Sequence, residues 1–204
     1  MTGQINLGSK FGDLINSISK QDSVKNIVEI GTWNGLGSTI CVLDALINYT
    51  DKKFYSIELY PDMFLVAKNN LSNYLNLPNF HLLNGRIIER DDVYWFDHSS
   101  IQFGLDEHAR LYYRSDIDYL QSTENVLRLL PESIDFLILD GGEYTTYPEW
   151  HLLKDRTRIV ALDDTAVLKC SKIREELLSD VKYRVIEDVL NDRNGFSIFE
   201  KIEN

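Results

Sequence analysis

Three aspartates follow two apolar segments that are typical of buried strands. Asp140 comes directly after residues 134–139, and Asp163 and Asp164 come directly after residues 158–162. Because the carboxyl ends of parallel strands open onto one crevice, we expect these side chains to lie close together. Ionised carboxylates so arranged repel one another unless a cation neutralises them, and oxygen-only ligands suit Mg²⁺, Mn²⁺ or Ca²⁺. The sequence therefore predicts a divalent-metal site. Helix capping is the alternative for one aspartate of the adjacent pair.

A fourth acid, Glu143, lies three residues beyond Asp140 in the segment DGGE. A divalent cation that holds two vicinal hydroxyls lowers the pKa of one of them, and a carboxylate within reach can accept its proton. We therefore expect Glu143 to be the general base, and Asp140 to take part in catalysis as well as in metal binding. An exposed loop glutamate without a role is the alternative interpretation.

A glycine-rich loop follows the first predicted strand, in the segment VEIGTWNGLGST at residues 28–39. Glycines after a buried strand let the backbone turn tightly and approach a ligand, and the following helix presents free N–H groups. Such a loop can hold a nucleotide or the methionine part of a cofactor. Its spacing, G-x-x-x-G-x-G, departs from the G-x-G-x-x-G fingerprint of dinucleotide-binding proteins. The candidate cofactor-binding residues here are Glu29, Gly31, Thr32, Trp33, Asn34, Gly35 and Ser38.

A second acid stands where a ribose can bind. Glu58 and Leu59 are the last two residues of the second predicted strand. An acid in that position can accept hydrogen bonds from both ribose hydroxyls, so both residues are candidate cofactor contacts. Glu58 would serve NAD equally well and does not distinguish between nucleotide cofactors.

The elements that would position these residues alternate along the chain, which favours an α/β fold with a mainly parallel sheet. The last two segments differ, because residues 183–189 and 196–201 are joined by a short turn containing Asn194 and Gly195. So short a connection cannot hold a crossover helix, and the pair must be antiparallel. The other predicted strands are residues 26–30, 54–59, 80–83, 134–139 and 158–162, and the helical patterns include residues 7–19, 38–48, 62–74 and 165–178.

One long segment interrupts this alternation within what we expect to be a single domain, residues 1–204. Residues 86–130 lie between the third and fourth predicted strands and are rich in aromatic and charged residues. So long an insertion near strand ends is often a lid or a binding region, so we expect it to form an acceptor-side lid.

The glycine loop resembles the first motif of class I S-adenosylmethionine-dependent methyltransferases, usually E/D-x-G-x-G-x-G. Here Glu29 supplies the acid and Trp33 replaces the middle glycine. The resemblance implies a Rossmann-like fold, with a seven-stranded, mostly parallel sheet, an antiparallel C-terminal hairpin strand and helices on both faces. It also implies S-adenosylmethionine as the cofactor, with the loop at the methionine moiety, Glu58 at the ribose, and Asn84 and Gly85 near the adenine.

The aspartates resemble those of the metal-dependent O-methyltransferases, which place Asp after the fourth strand and Asp-Asp or Asp-Asn after the fifth. The segment Asp140-Gly141-Gly142-Glu143 is also similar to the Asp-Gly-x-His segment of small methyltransferases that modify sugars in glycan and natural-product pathways. Glu143 stands where histidine is common in that group. The resemblance implies divalent-metal-assisted O-methylation of a sugar hydroxyl in a glycan or glycosylated metabolite, or of a catechol or another vicinal diol.

The composition limits the partners. The formal net charge is −11, which repels phosphate backbones, so we expect no nucleic-acid substrate. No signal-peptide pattern and no membrane-spanning apolar run is present, and the two cysteines have no metal or redox spacing. We expect a cytoplasmic protein with a small-molecule or glycan acceptor and no membrane partner; a homodimer is compatible with the sequence.

Two other functions stay open. An NAD-dependent oxidoreductase or epimerase is opposed by the glycine spacing, by the terminal hairpin and by the lack of a suitably placed Tyr-x-x-x-Lys pair. A non-catalytic S-adenosylmethionine-binding module is opposed by the presence together of five acids, namely Glu29, Glu58, Asp140, Asp163 and Asp164.

Overall fold

A single seven-stranded sheet forms the centre of the molecule. The computed structural model describes residues 5–95 and 107–202 of the chain. The strand order is β3-β2-β1-β4-β5-β7-β6. The strands are β1 (Asn26–Ile30), β2 (Lys53–Glu58), β3 (Phe80–Asn84), β4 (Ile134–Leu139), β5 (Thr157–Asp163), β6 (Tyr183–Val189) and β7 (Phe196–Lys201).

Helices pack on both faces of this sheet. In the described part of the chain the α-helices are α1 (Lys10–Lys20), α2 (Ser38–Leu46), α3 (Pro61–Asn70), α4 (Glu107–Ser122), α5 (Thr146–Leu153) and α6 (Leu168–Ser179). Short 3₁₀ turns lie at Arg90–Trp95, Leu127–Leu129 and Lys154–Arg156. No helix in the described ranges is both long enough and apolar enough to cross a membrane.

Strands β1 to β5 pair in parallel, whereas β7 pairs antiparallel with both β5 and β6. This confirms the predicted α/β fold and its C-terminal hairpin. The chain leaves β1 towards β2 on one side, and β4 lies on the other side of β1. Ligands bind at such a switch point in open α/β sheets, outside the carboxyl ends of the strands.

The central strands are apolar on both faces because helices cover the sheet on both sides. Along β4, Phe136 and Ile138 enter one hydrophobic core, and Leu137 and Leu139 enter the other. This alternation follows from the two-residue period of a strand. The two cores fix the sheet rigidly, so the loops at its carboxyl edge are held in place.

The insert contains a helix that the sequence pattern did not predict. Helix α4 buries Ile117 and Leu120 in the same core as β4. The chain after α4 is tied back to the end of β3, since the Arg86 side chain donates to the carbonyl of Thr123 and the Val126 amide donates to the carbonyl of Arg86. Residues 96–106 of the insert lie outside the described ranges, and its role as an acceptor-side lid stays a prediction.

The β6–β7 hairpin turn reaches the end of β5. The amides of Thr165 and Ala166 donate to the carbonyls of Gly195 and Asn194, at 3.2 and 2.7 Å. Gly195 has φ +81°, a conformation that favours glycine. This docking brings the turn residue Arg193 beside the aspartates that follow β5.

Candidate functional site

Two adjoining clefts open at the carboxyl edge of the sheet beside the switch point. We call them the glycine-loop cleft and the triad cleft. The glycine-loop cleft is lined by residues that include Gly31, Glu58, Leu59, Tyr60, Gly85, Asp116, Glu143 and Glu149. The triad cleft is lined by residues that include Thr32, Asn34, Ser38, Asp163, Asp164 and Arg193. Trp33, Asp140, Gly141 and Lys169 line both.

Gly31 makes the close approach between the glycine loop and β4. It has φ +97°, and a Cβ atom there would lie 2.1 Å from the carbonyl oxygen of Asp140. The loop is held on its other side by β2, because the Gly31 and Thr32 amides donate to the carbonyl of Ile57. A side chain at position 31 would push apart the two elements that carry the loop and Asp140.

Glu29 braces the glycine loop through hydrogen bonds to neighbouring side chains. Its carboxylate is fully buried and accepts hydrogen bonds from the hydroxyls of Thr39, at 2.7 Å, and Ser56. Burial raises the pKa of Glu29 to about 7. Glu29 is not among the described residues that line either cleft, so any effect on a ligand passes through the loop that it braces.

Glu58 lies at the floor of the glycine-loop cleft and is 5% exposed. Its carboxylate accepts the backbone N–H groups of Trp33, at 2.6 Å, and Tyr60, at 2.8 Å, on different oxygens. Burial raises the pKa of Glu58 to about 7. Each oxygen keeps a second lone pair, so the side chain can still accept hydrogen bonds from a ligand.

The other sequence-predicted cofactor residues divide into two groups. Leu59 and Gly85 line the glycine-loop cleft, and Thr32, Asn34 and Ser38 line the triad cleft. Gly35 and Asn84 line neither cleft: Gly35 packs against Leu71, and the Asn84 amide donates to the carbonyl of Glu58 at 2.8 Å. These two residues shape the backbone around the site.

The three predicted metal ligands come together. One carboxylate oxygen from each of Asp140, Asp163 and Asp164 lies within 4.8 Å of the other two. Neither aspartate of the adjacent pair is the N-cap of α6, which is Val167. Asp164 has φ +57°, a left-handed conformation that aspartate tolerates better than most residues. The ends of β4 and β5 therefore hold the three carboxylates close together, and their mutual repulsion requires a counter-charge.

That counter-charge is Lys169, which the sequence analysis missed. Its ammonium nitrogen lies 2.7 Å from Oδ1 of Asp140 and 2.7 Å from Oδ2 of Asp164, and its side chain is 7% exposed. Burial alone would lower the pKa of Lys169, but Asp140, Asp164 and Asp163 raise it above its ordinary value. The helix dipole disfavours a cation in the first turn of a helix, so a lysine at that position is a sequence signal for nearby acids.

Arg193 supplies a second positive charge. Its guanidinium forms an ion pair with Asp163, and the side chain of Asn194 donates to Asp164. Burial is the largest cause that raises the pKa of Asp163, to about 7, and the charge of Asp140 adds to it. The triad is thus neutralised from two directions, by α6 and by the β6–β7 turn.

Glu143 lies beside Lys169 and lines the glycine-loop cleft. Its carboxylate accepts the backbone N–H of Lys169. Burial raises the pKa of Glu143 above its ordinary value, although the Lys169 charge opposes the increase. A carboxylate with a raised pKa at the edge of a cleft is suited to accept a proton from a bound hydroxyl.

Two further buried acids of the glycine-loop cleft had no signal in the sequence. Asp116, on α4, accepts from the hydroxyl of Tyr60 and has a pKa of about 6, raised by burial. Glu149, on α5, has a pKa of about 8, also raised by burial, and its Oε2 atom has no hydrogen-bond partner among the described residues. A Cβ atom at Gly142 would lie 2.8 Å from the Asp116 carboxylate, so the Gly141-Gly142 pair leaves room for both acids.

No family model and no curated protein sequence matches the chain. Solved structures do match it. SAH-bound methyltransferase PaMTH1 from Podospora anserina is 14% identical with a TM-score of 0.61, over 94% of this chain and 78% of that one. The O-methyltransferase TomG from Streptomyces achromogenes, in complex with SAM and involved in tomaymycin synthesis, is 14% identical with a TM-score of 0.58, over 94% and 79%.

A methyltransferase from Geobacter sulfurreducens matches at 10% identity and a TM-score of 0.59, over 97% of this chain and 82% of that one. The chain has the Rossmann-like methyltransferase fold. Identities this low establish the fold alone, and function has to be argued from the site.

Proposed function

We propose that this protein is an S-adenosylmethionine-dependent O-methyltransferase. The observation that carries the proposal is the charge of the glycine-loop cleft. Among the described residues its lining includes one basic residue, Lys169, and five acids: Glu58, Asp116, Asp140, Glu143 and Glu149. Burial raises the pKa of Glu149 to about 8, so the negative charge near pH 7 comes from the other four. Such a lining favours a cationic donor with a sulfonium and an ammonium group. It repels the pyrophosphate of NAD, which counts against a dinucleotide-dependent oxidoreductase or epimerase.

The residues of the glycine-loop cleft offer a contact for each part of the donor. The backbone around Gly31 would hold the methionine moiety, with Glu29 bracing the loop. Glu58 would accept the ribose hydroxyls, and Leu59 and Gly85 would flank the adenine. Gly31, Glu58, Leu59 and Gly85 all line this cleft, and the part of the donor assigned to each follows the resemblance to class I methyltransferases.

The acceptor would enter from the triad cleft. Both clefts share Asp140, Gly141 and Lys169, so a donor in one and an acceptor in the other would meet there. When bound, S-adenosylmethionine supplies an electrophilic methyl group on a sulfonium. The acceptor oxygen forms the new O–CH₃ bond as the methyl–sulfur bond breaks and its electron pair stays on sulfur. Glu143 accepts the hydroxyl proton, and the protein's main contribution is positioning.

We propose a sugar hydroxyl as the acceptor, with a catechol or another vicinal diol as the second choice. Trp33 supports a sugar, because its indole borders both clefts and is 56% exposed. An exposed indole can stack on the apolar face of a pyranose ring. The acid and amide groups of the triad cleft would then accept hydrogen bonds from neighbouring hydroxyls.

The divalent cation expected from the sequence is not part of this proposal. Three carboxylate oxygens within 4.8 Å of one another have the ligand type and spacing that Mg²⁺ or Mn²⁺ needs. The presence of Lys169 argues against a metal ion here, because its ammonium group already binds two of the three carboxylates. We therefore assign no step of the reaction to a metal ion.

The proposal is tested by incubating the purified chain with S-adenosylmethionine and a panel of methyl glycosides and catechols. Mass spectrometry should detect one added methyl group on an acceptor. Glu58→Ala should lower the affinity for S-adenosylhomocysteine about 10- to 100-fold, the loss of one to two good hydrogen bonds to a charged group. Glu132→Ala, at an exposed acid remote from both clefts, is the matched control.

The outcomes separate a methyltransferase from a non-catalytic binding module and test the ribose site. Binding of S-adenosylhomocysteine with methyl transfer supports the proposal. Binding without transfer to any acceptor, in the presence and absence of Mg²⁺ or Mn²⁺, would favour a non-catalytic binding module. Equal binding by Glu58→Ala and the native chain would overturn the assignment of the ribose site.

A further inference from the structure

We propose that Lys169 is the resident cation of the aspartate triad, and that its ammonium group replaces a divalent metal ion in binding the acceptor oxygen. The inference deepens the proposed function and rests on it for the identity of the acceptor. The neutralisation of the triad rests on the structure alone.

The Lys169 ammonium lies between two of the three candidate metal ligands. The nitrogen lies 2.7 Å from Oδ1 of Asp140 and from Oδ2 of Asp164. A divalent ion bound by the triad would have to approach oxygens of these same two carboxylates to about 2.0–2.6 Å. The two cations would then be neighbours in a poorly solvated site, where their repulsion is only weakly screened.

The charges of the cluster also balance without a metal. Lys169 and Arg193 contribute two positive charges against three aspartates, which leaves at most one net negative charge. Adding a divalent ion would make the sum of these five side chains positive. A triad without these two basic residues would need an external cation, whereas this one carries its own.

Lys169 is built into the fold and is not a surface side chain that happens to reach the triad. It lies in the first turn of α6 and is almost fully buried. A buried ammonium at a helix N-terminus is unfavourable unless acids pair with it. Asp140 and Asp164 supply that pairing from the ends of two neighbouring strands, so lysine and aspartates stabilise one another.

The same geometry gives Lys169 a role in the reaction. An ammonium group has three N–H donors, of which Asp140 and Asp164 engage two; among the residues that the structure describes, no other contact to the nitrogen is seen, so the third donor can serve an acceptor oxygen. As the hydroxyl proton passes to Glu143, the ammonium stabilises the negative charge that develops on the oxygen. The Lys169 backbone N–H holds the Glu143 carboxylate, so one residue positions both the base and the acceptor.

The test compares the native chain with Lys169→Met, which keeps the length of the stem and removes the charge. Mn²⁺ is titrated into each protein and followed by electron paramagnetic resonance. The native chain should not bind Mn²⁺ at the triad, and Lys169→Met should bind one ion per chain. Mn²⁺ should accordingly raise the thermal midpoint of Lys169→Met and leave that of the native chain unchanged.

Turnover supplies a second readout. The native chain should methylate its acceptor equally well with EDTA and with Mn²⁺, whereas Lys169→Met in EDTA should be slower by about 100-fold, typical for loss of one group that stabilises an oxyanion. Stoichiometric Mn²⁺ binding by the native chain, or a requirement for a divalent ion in its turnover, would overturn the inference. The native-chain titration needs no variant, so it decides the matter even if Lys169→Met does not fold.

Failure of the proposed function gives a different pattern. A native chain that binds neither S-adenosylhomocysteine nor any acceptor would contradict the methyltransferase proposal. The difference in Mn²⁺ binding between the native chain and Lys169→Met would still show whether lysine or metal neutralises the triad.

Discussion

The ammonium nitrogen of Lys169 lies 2.7 Å from Oδ1 of Asp140, which joins the first turn of α6 to the end of β4. The contact lies where the glycine-loop cleft and the triad cleft adjoin, because both residues line both clefts. An electrophile in one cleft and a nucleophile in the other would meet beside this ion pair. Predictions about the site can therefore be made one side chain at a time.

Asp140→Asn should impair methyl transfer more than cofactor binding. The amide keeps the shape of the side chain but leaves Lys169 with one fewer charged partner and a looser position. We expect turnover to fall about 100-fold, as for other lost electrostatic contacts to a developing charge, while the affinity for S-adenosylhomocysteine changes little. Asp155→Asn, at an exposed aspartate away from the clefts, is the control. Unchanged turnover in Asp140→Asn would remove Asp140 from the site.

Glu143→Gln should remove a general base. Turnover should fall by about 10²- to 10⁴-fold, the usual contribution of a positioned base. Native activity should rise with pH through the pKa of Glu143, because the carboxylate must be ionised to accept a proton. That pKa lies above its ordinary value, since burial raises it. A pH–rate profile measures the effect, and the rising limb should be absent in Glu143→Gln; a limb that persists unchanged would assign the base elsewhere.

Glu149→Gln should change how stability depends on pH. Burial raises the folded pKa of Glu149 to about 8, above an unfolded value near 4.3. A raised folded pKa means that the neutral carboxyl contributes stability at low pH, which is lost as the pH rises to the folded pKa. The native free energy of unfolding should therefore fall between about pH 4.3 and pH 8.

Glutamine remains neutral throughout that range. As the pH rises, the free energy of unfolding of Glu149→Gln should therefore fall less than that of the native chain. The difference between the two decreases should reach about 4 kcal/mol at pH 8. Urea unfolding at pH 5 and pH 8 measures it, with Glu132→Gln as the exposed control. Parallel pH dependences in Glu149→Gln and the native chain would show that Glu149 is ionised in the folded protein.

Gly31→Ala should destabilise the protein more than Gly8→Ala. Both glycines have similar positive φ angles, +97° and +94°, so each alanine bears a similar backbone strain, about 1–2 kcal/mol. A Cβ atom at Gly8 meets nothing within 4 Å, whereas one at Gly31 meets the Asp140 carbonyl oxygen at 2.1 Å. Urea unfolding of both variants separates strain from collision, and equal losses would mean that the loop and β4 can move apart.

Much of the fold could be predicted because local signals and tertiary structure agree. Apolar runs ended by glycine, asparagine or aspartate located the strands, and the predicted bounds of β1, β4, β6 and β7 match the observed ones. The short turn before β7 required an antiparallel hairpin. Helix α4 was missed because its exposed face is crowded with charged and aromatic residues, which conceal the apolar positions Ile117 and Leu120.

The site was predictable in part for the same reason. Glu58 and Asp140 lie at the ends of recognisable strands, so the sequence could place both at the carboxyl edge of the sheet. Lys169, Asp116 and Glu149 lie on helices, where a charged residue normally faces water. Their positions in the clefts depend on how the helices pack against the sheet, and no local pattern encodes that packing.

The most direct measurement is a calorimetric titration of the native chain with S-adenosylhomocysteine and, separately, with NADH. The donor site predicts one S-adenosylhomocysteine bound per chain, because this product keeps the ammonium group, ribose and adenine of the donor. The acidic lining of the glycine-loop cleft predicts no measurable heat from NADH. Binding of NADH, or no binding of S-adenosylhomocysteine, would contradict the account.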